Sequence, residues 1–98
     1  MPRHRIRWTR LAFADLRDAR DFVALDDPAA AAALVVRIRH GVKRLEMVPA
    51  AGRVVPERRE QGYREILEPP YRIVYRVAGR EVHILRVWHS RRDLATAP

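Results

Sequence analysis

The sequence predicts an α+β fold in which a hairpin of two antiparallel helices covers one face of a small, mainly antiparallel sheet. Two observations support this prediction. After a short β-like run at the N-terminus, apolar residues recur at helical spacing through the first half of the chain. The second half holds three short runs rich in aromatic and β-branched residues, separated by turn residues. The 98 residues are enough for a single domain over residues 1–98.

The first two predicted elements are a short N-terminal strand and a helix. Residues 6–8 form the β-like run, and Thr9 follows it. A threonine hydroxyl can accept a hydrogen bond from one of the free amides at the start of a helix. The apolar residues that then keep helical spacing are Ala12, Leu16, Ala19 and Val23. We therefore expect the first helix over residues 10–25.

A second helix is predicted to begin at Pro28, after Asp26 and Asp27. An aspartate can cap the free amides, and proline suits the first helical position because its missing N–H is not needed there. Apolar residues continue at helical spacing as far as Val48, and Pro49 ends the pattern. This helix is expected over residues 28–48, antiparallel to the first.

The remainder of the chain is predicted to form a loop and three strands. Residues 49–62 combine glycine, proline and charged residues, which favours a mobile loop. Strands are expected at residues 63–67, 71–77 and 81–89. With Ala78 and Gly79 as a two-residue turn, the last two strands pair in a defined register. The facing residues would be Arg76 with Glu81, Val74 with His83, and Ile73 with Ile84.

This register divides the side chains between the two faces of the sheet. One face would carry Tyr71, Ile73, Tyr75, Val82 and Ile84, and the other Arg72, Val74, Arg76, His83, Leu85 and His89. The last strand is apolar toward both faces, as an interior strand would be. Arg72 has no acidic partner in this register and shares a face with His89.

The charge of the chain indicates an anionic partner, either nucleic acid or an acidic protein segment. The formal net charge is +8. The candidate residues for this contact are Arg72, His89, Arg91 and Arg92. Arginine binds phosphate in a fixed fork, and histidine can transfer a proton near neutral pH. A solvated basic rim, or a patch for an acidic peptide, is the plainer interpretation of the same residues.

The sequence lacks the residues that several classes of function require. Cysteine is absent, which removes thiolate catalysis and cysteine zinc sites. The four histidines are scattered, so neither a metal nor a cofactor is expected. The lone serine, Ser90, would point away from its neighbour His89 on a strand, which makes a Ser-His pair geometrically poor. Without a membrane-spanning run or a secretory signal, we expect a cytoplasmic protein with no membrane partner.

Short motifs along residues 6–94 carry a family resemblance. In order, they are ADL at residues 14–16, LEMVP at 45–49 followed by GR at 52–53, YRE at 63–65, PYRIVYR at 70–76 and VHILRVWH at 82–89. The YRIVY run, followed by a strand that ends in HSRRD, is the most specific part. Together with the order of elements, these motifs resemble the ParE/RelE toxin superfamily.

The resemblance implies the toxin half of a type II toxin–antitoxin pair. Such a toxin forms a hetero-oligomer with a cognate antitoxin that neutralises it. ParE-like members inhibit DNA gyrase without cleaving RNA, whereas RelE-like members cut mRNA in the ribosomal A site. A RelE-like nuclease would use Arg72, His89 and Arg92 of this chain as its catalytic residues, and Arg64 matches the position of a family lysine.

Two departures from the nuclease pattern favour the ParE-like branch. The second lysine expected in the strand of residues 63–67 falls at Ile66, and no tyrosine follows Asp93. An mRNA endonuclease and a non-toxic basic binding module are the alternatives. In each case, the residues expected to meet an anionic partner or target are Arg64, Arg72, His89, Arg91 and Arg92.

Overall fold

The computed structural model describes residues 3–90. Its helices are α1 (Arg10–Ala24) and α2 (Pro28–Lys43), with 3₁₀ segments at Arg44–Glu46 and Pro56–Gln61; its strands are β1 (Arg5–Trp8), β2 (Arg53–Val54), β3 (Arg64–Glu68), β4 (Tyr71–Ala78) and β5 (Glu81–His89). The strands form one sheet in the order β1-β5-β4-β3-β2. All neighbours are antiparallel except β1 and β5. The predicted α+β architecture is confirmed.

Both helices begin at the predicted caps. The Thr9 hydroxyl oxygen accepts a hydrogen bond from the Ala12 N–H at 3.1 Å and donates to the Ile84 carbonyl at 2.8 Å, which also ties α1 to β5. The Asp27 carboxylate accepts from the N–H groups of Ala29 and Ala30, both at 3.1 Å. The predicted α2 was too long, because its last turn narrows to the 3₁₀ segment and helical structure ends at Glu46.

Both helices pack on one face of the sheet, here called the covered face. The buried residues of this core are Ala12, Leu16, Ala19, Leu34, Ile38, Val42, Leu45, Tyr71, Ile73, Tyr75, Val82, Ile84 and Val87. The predicted apolar face of the last two strands, Tyr71 to Ile84, is therefore confirmed. Each fully buried aliphatic side chain, such as Ile38 or Ile73, contributes roughly 1.5–3 kcal/mol to stability.

The turn between β4 and β5 lies one residue later than predicted. Ala78 pairs with Glu81, so the turn residues are Gly79 and Arg80. Gly79 has a φ of 60°, a conformation that glycine adopts with little strain. The predicted pair of Arg76 and Glu81 is wrong, because this register sets Arg76 opposite His83.

A β-bulge in β5 changes the register a second time. Tyr75 lies opposite Ile84, but its neighbour Val74 lies opposite Arg86, so Leu85 is an extra residue on β5. One extra residue turns every following side chain to the other face. The predicted pairings of Val74 with His83 and of Ile73 with Ile84 are also wrong, because the shifted turn displaces them and the bulge displaces them further.

The bulge also moves His89 away from Arg72. In the observed register, Trp88 lies opposite Arg72, and His89 lies opposite Tyr71. The rings of His89 and Tyr71 meet edge to face, with centroids 5.6 Å apart. The expectation that His89 shares a face with Arg72 is wrong, since directly opposed residues share a face and Tyr71 belongs to the covered face.

Residues 49–62, predicted to be a mobile loop, instead contain β2 and a 3₁₀ segment. The Tyr75 hydroxyl donates to the Pro49 carbonyl at 2.7 Å and accepts from the Gly52 N–H at 2.8 Å. A Cβ on Gly52 would lie 2.6 Å from the Tyr75 hydroxyl and 2.7 Å from the Glu65 carbonyl oxygen, so this close approach requires glycine. One buried hydroxyl thus orders a segment whose composition is typical of a loop.

Candidate functional site

The face of the sheet away from the helices, here called the open face, carries a second and smaller apolar cluster. Val55, Val74 and Trp88 are buried there, with Tyr63 and Leu85 packed against them. A groove of about 350 Å³ runs over this cluster and is lined by Thr9, Leu11, Arg58, Tyr63, Val74, Leu85, Arg86 and Trp88. The floor of the groove is apolar, and Arg58 and Arg86 add positive charge to its walls. This groove is the candidate functional site on the open face.

Beside the groove, a buried carboxylate gathers two arginines. Strand pairing places Glu65 of β3 directly between Arg53 of β2 and Val74 of β4. The Glu65 side chain is only 1% exposed, and its Oε2 lies 2.7 Å from Arg53 Nε and 2.6 Å from Arg53 Nη2. Its other oxygen, Oε1, lies 3.3 Å from Arg72 Nη1. A buried carboxylate requires such pairing because its desolvation is costly.

Among the described residues of this network, the formal charges balance. Glu57, from the 3₁₀ segment, lies 4.0 Å from Arg72 Nη2 and supplies a second carboxylate. Arg53 and Arg72 therefore face Glu57 and Glu65, two cations against two anions. The expectation that Arg72 has no acidic partner is wrong, and the Arg72 side chain is only 11% exposed.

A second ion pair closes the other end of the groove. Asp15 of α1 binds Arg86 through two hydrogen bonds, 2.8 Å from Nε to Oδ2 and 3.0 Å from Nη2 to Oδ1. Its Oδ2 also accepts the Val87 N–H at 3.0 Å. The Arg86 guanidinium lies over the Trp88 ring, 4.7 Å from the centroid, in a cation–π contact. Here too, the arginine charge is matched by a carboxylate.

The predicted site residues do not gather on one face. Arg72 lies on the open face, whereas Arg64 lies opposite Tyr75 on the other side of β3 and donates to the Gly52 carbonyl at 2.8 Å. His89 is on the side of Tyr71. Arg91 and Arg92 lie outside the described residues, so their predicted role stays a prediction.

Sequence reasoning missed Glu65 and Asp15, the two residues that organise the open face. Both occur inside quoted motifs, YRE and ADL, where they read as ordinary surface acids. The available signal for Glu65 is its position: it alternates with Tyr63 and Leu67 on one face of a strand. Asp15 offers no such signal, since its partners on β5 are about 70 residues away in the chain.

Two titratable groups have shifted pKa values. Burial raises the pKa of Tyr75 above its ordinary value of 10.0, against the lowering effects of the Gly52 hydrogen bond and the Arg64 charge. The hydrogen bond with His83, and then that with Arg7, lower the pKa of Glu81 below 4.5. Neither group lines the groove. Over residues 3–90, no three histidine, aspartate or glutamate side chains are grouped as metal ligands would be.

Residues 6–94 match the family model described as the ParE toxin of the type II toxin–antitoxin system parDE. The chain belongs to the ParE toxin family. It is 41% identical over 92 residues to the protein Y4kP of Sinorhizobium fredii, covering 92% of each chain. The family predicted from the motifs is confirmed, and the chain is a ParE/RelE-type toxin of a type II system.

Two solved structures share this ParE fold. One is a chromosomal ParDE system from P. aeruginosa, with 36% identity and a TM-score of 0.71, covering 88% of this chain and 95% of that one. The other is the toxin–antitoxin complex RelBE2 from Mycobacterium tuberculosis, with 31% identity and a TM-score of 0.60, covering 91% and 99%. The ParE-family chain therefore resembles members named for both branches of the superfamily.

Proposed function

We propose that this ParE-family toxin acts in the cytoplasm by inhibiting DNA gyrase, that it does not cleave nucleic acid, and that a cognate antitoxin neutralises it. The observation that carries the proposal is the pairing of Arg72 with two carboxylates on the open face. Arg72 matches the motif arginine of the family, and the buried carboxylate of Glu65 binds it. An arginine held in this way is a structural group.

Cleavage of RNA through its 2′-hydroxyl needs a base, an acid and positive charge at the phosphate. On the open face, a phosphate near Arg72 would meet Glu65 and Glu57 at the same guanidinium. His89 lies across the sheet from Arg72, so the two cannot act on one phosphate. These features disfavour the nuclease and support a toxin that acts by binding.

The decisive test is a supercoiling assay with purified gyrase and micromolar toxin. We expect loss of supercoiling, and restoration when the product of the neighbouring antitoxin gene is added first. Normal supercoiling at that toxin concentration would reject the gyrase proposal.

An mRNA endonuclease is the second candidate, favoured by the likeness to the RelBE2 structure. Primer extension on translated message distinguishes the two. Our proposal predicts intact message, whereas a nuclease would leave cuts that fade in Arg72→Ala. Expression of the toxin alone tests the third interpretation, a non-toxic basic binding module, because such a module would leave growth unchanged.

A groove between the two helices supports an antitoxin partner. It has a volume of about 290 Å³ and is lined by Phe13, Leu16, Arg17, Arg20, Val35 and Arg39. Phe13 lines this groove and is 61% exposed, so its ring is accessible to a partner. Three arginines around an apolar floor suit an amphipathic helix with acidic residues at its edges.

The antitoxin contact can be tested with two matched aromatic substitutions. Phe13→Asp should weaken binding to the antitoxin at least tenfold, since it places a charge in the groove. Phe22→Asp is the control, because Phe22 is 72% exposed on the same helix and does not line this groove. Equal losses in a titration of both variants would contradict the placement.

A further inference from the structure

The C-terminal half of α2 borders an open depression of about 580 Å³ that shares no lining residue with the open-face groove. Arg37, Lys43 and Arg44 line it, and Arg3 joins them from the segment before β1. Two carboxylates, Glu46 and Glu68, also line it. Among the described lining residues, four cations thus face two anions, which gives a formal charge of +2 with His40 counted as neutral.

The ion pairs here are long compared with those of the open face. Arg3 lies 3.7 Å from Glu46, and both Arg37 and Arg44 lie 3.9 Å from Glu68. The arginine side chains are 68%, 50% and 74% exposed, so these pairs hold the cations weakly. Arg37 also donates to the Pro69 carbonyl at 2.6 Å, which occupies one of its five N–H donors.

Stabilisation of the helix end explains only part of this charge. Cations in the last turn offset the partial negative charge of a helix C-terminus, which accounts for His40 and Lys43. That effect falls off beyond the last turn. Arg37 lies earlier in α2, and Arg3 lies outside the helix altogether.

We propose that this surface binds the phosphate backbone of double-stranded DNA. From Arg37 to Arg44, the cations extend over roughly 10 Å at the helical rise of about 1.5 Å per residue. A DNA duplex carries about one negative charge per 1.7 Å of its axis, so a row of this length faces several phosphates.

Two features favour a duplex over the other polyanions. An extended acidic peptide gains affinity by pairing with a strand edge, and the depression is bordered mainly by helical residues. Single-stranded nucleic acid is held by stacking on aromatic rings, and His40 is the one ring among the described lining residues. The inference goes beyond gyrase inhibition, since DNA binding by this surface needs no gyrase.

The test is fluorescence anisotropy with a labelled 20-base-pair duplex of mixed sequence, titrated with the full chain at several salt concentrations. The variant Lys43→Gln/Arg44→Gln removes two charges from the depression and leaves the Arg37–Pro69 bond in place. We expect its dissociation constant to rise about tenfold at low salt, and the slope of log affinity against log salt to fall by about 2.

The matched control is Arg76→Gln/Arg80→Gln, which removes the same charge from exposed positions on β4 and the following turn. It should change the dissociation constant less than about threefold, because it alters only the long-range field. Circular dichroism of both variants checks that each one folds like the wild type.

Three results would overturn the inference: no duplex binding by the wild-type chain at low salt, equal losses in both variants, or tighter binding of a polyglutamate peptide than of the duplex. The outcome is separable from that of the supercoiling assay. A chain that binds DNA through Lys43 and Arg44 but leaves gyrase active would support this inference and reject the proposed function.

Discussion

The two faces of the sheet are stabilised in different ways. The covered face is an apolar core in which both helices contribute, and its buried residues include Ile38, Ile73 and Ile84. The open face has a three-residue cluster and relies on two ion-paired carboxylates, Glu65 and Asp15. Apolar burial adds up over many contacts, whereas Arg72 and Arg86 on the open face are held by specific carboxylates.

The two regions also differ in how closely their arginines are paired with carboxylates. On the open face, Arg53, Arg72 and Arg86 each have a carboxylate partner within 3.3 Å. On α2, the pairs are longer and the cations outnumber the anions. A place in the family motif does not identify an arginine that is available to a ligand. Arg72 is the motif arginine, and its side chain is only 11% exposed.

The largest effect on stability is expected when a buried side chain of the covered face is shortened. Ile38 is fully buried, and Ile38→Ala should lower the free energy of unfolding by about 2–5 kcal/mol through lost burial and a cavity. Val36→Ala on the exposed side of α2 is the control and should stay within about 0.5 kcal/mol. Urea denaturation measures both. Similar values would mean that the helices do not share one core with the sheet.

The next effect tests the open face. Glu65→Gln leaves Arg72 without its nearest carboxylate oxygen and should cost about 3 kcal/mol. Much of Arg53 stays in water, at 64% exposure, so that side chain adds little to the loss. Glu57→Gln, which removes a carboxylate 4.0 Å from Arg72, should cost less than about 1 kcal/mol. Equal costs in thermal unfolding would show that burial of Glu65 is unimportant.

A smaller effect is expected for Tyr75, a buried polar side chain of the covered face. Tyr75→Phe leaves the Pro49 carbonyl and the Gly52 N–H without their shared partner, at a cost of about 1–3 kcal/mol. Because Tyr75 is buried, its pKa is raised on folding. The stability that this neutral hydroxyl contributes is therefore complete below pH 10.0 and is lost as the pH rises above it.

The pH dependence gives a second readout for Tyr75. The difference in unfolding free energy between the wild type and Tyr75→Phe should shrink as the pH rises above 10.0, while other groups titrate equally in both proteins. A constant difference across that range would indicate that the hydroxyl ionises with its ordinary pKa.

The smallest effect concerns Glu81, an exposed carboxylate with hydrogen bonds to His83 and Arg7. These contacts lower its pKa below the ordinary value of 4.5, so they stabilise the fold above that pH and are lost as the pH falls through the lowered value. Unfolding midpoints of wild type and Glu81→Gln should converge in acid. A difference as large as that for Glu65→Gln would contradict the distinction between buried and exposed carboxylates.

Local signals in the sequence were enough for the elements and for the covered face. Thr9 and Asp27 cap their helices as predicted, and the apolar residues of β4 and β5 point to the core. These features depend on neighbours in the chain. The apolar face stayed correct up to Ile84 because the misplaced turn shifted the pairing along β5 by two residues, which preserves the alternation.

The candidate site was not predictable to the same degree, because it depends on distant contacts. The bulge at Leu85 shifts His89 to the other face, and nothing near Leu85 in the sequence signals an extra residue. The burial of Glu65 requires arginines from β2 and β4 on either side. Tyr75 holds the start of segment 49–62 through Pro49 and Gly52, which lie 26 and 23 residues earlier in the chain.

Asp15 also lies at an edge of β5 that β1 does not cover. Within residues 3–90, β1 pairs with β5 only as far as Ile84, and no described strand pairs with the rest of β5 on that side. Unprotected strand edges recruit strands from other molecules and lead to aggregates. Asp15 occupies the Val87 N–H at 3.0 Å and places a negative charge there. We therefore expect the side chain that binds Arg86 also to disfavour edge-to-edge pairing of β5 with another copy of the chain.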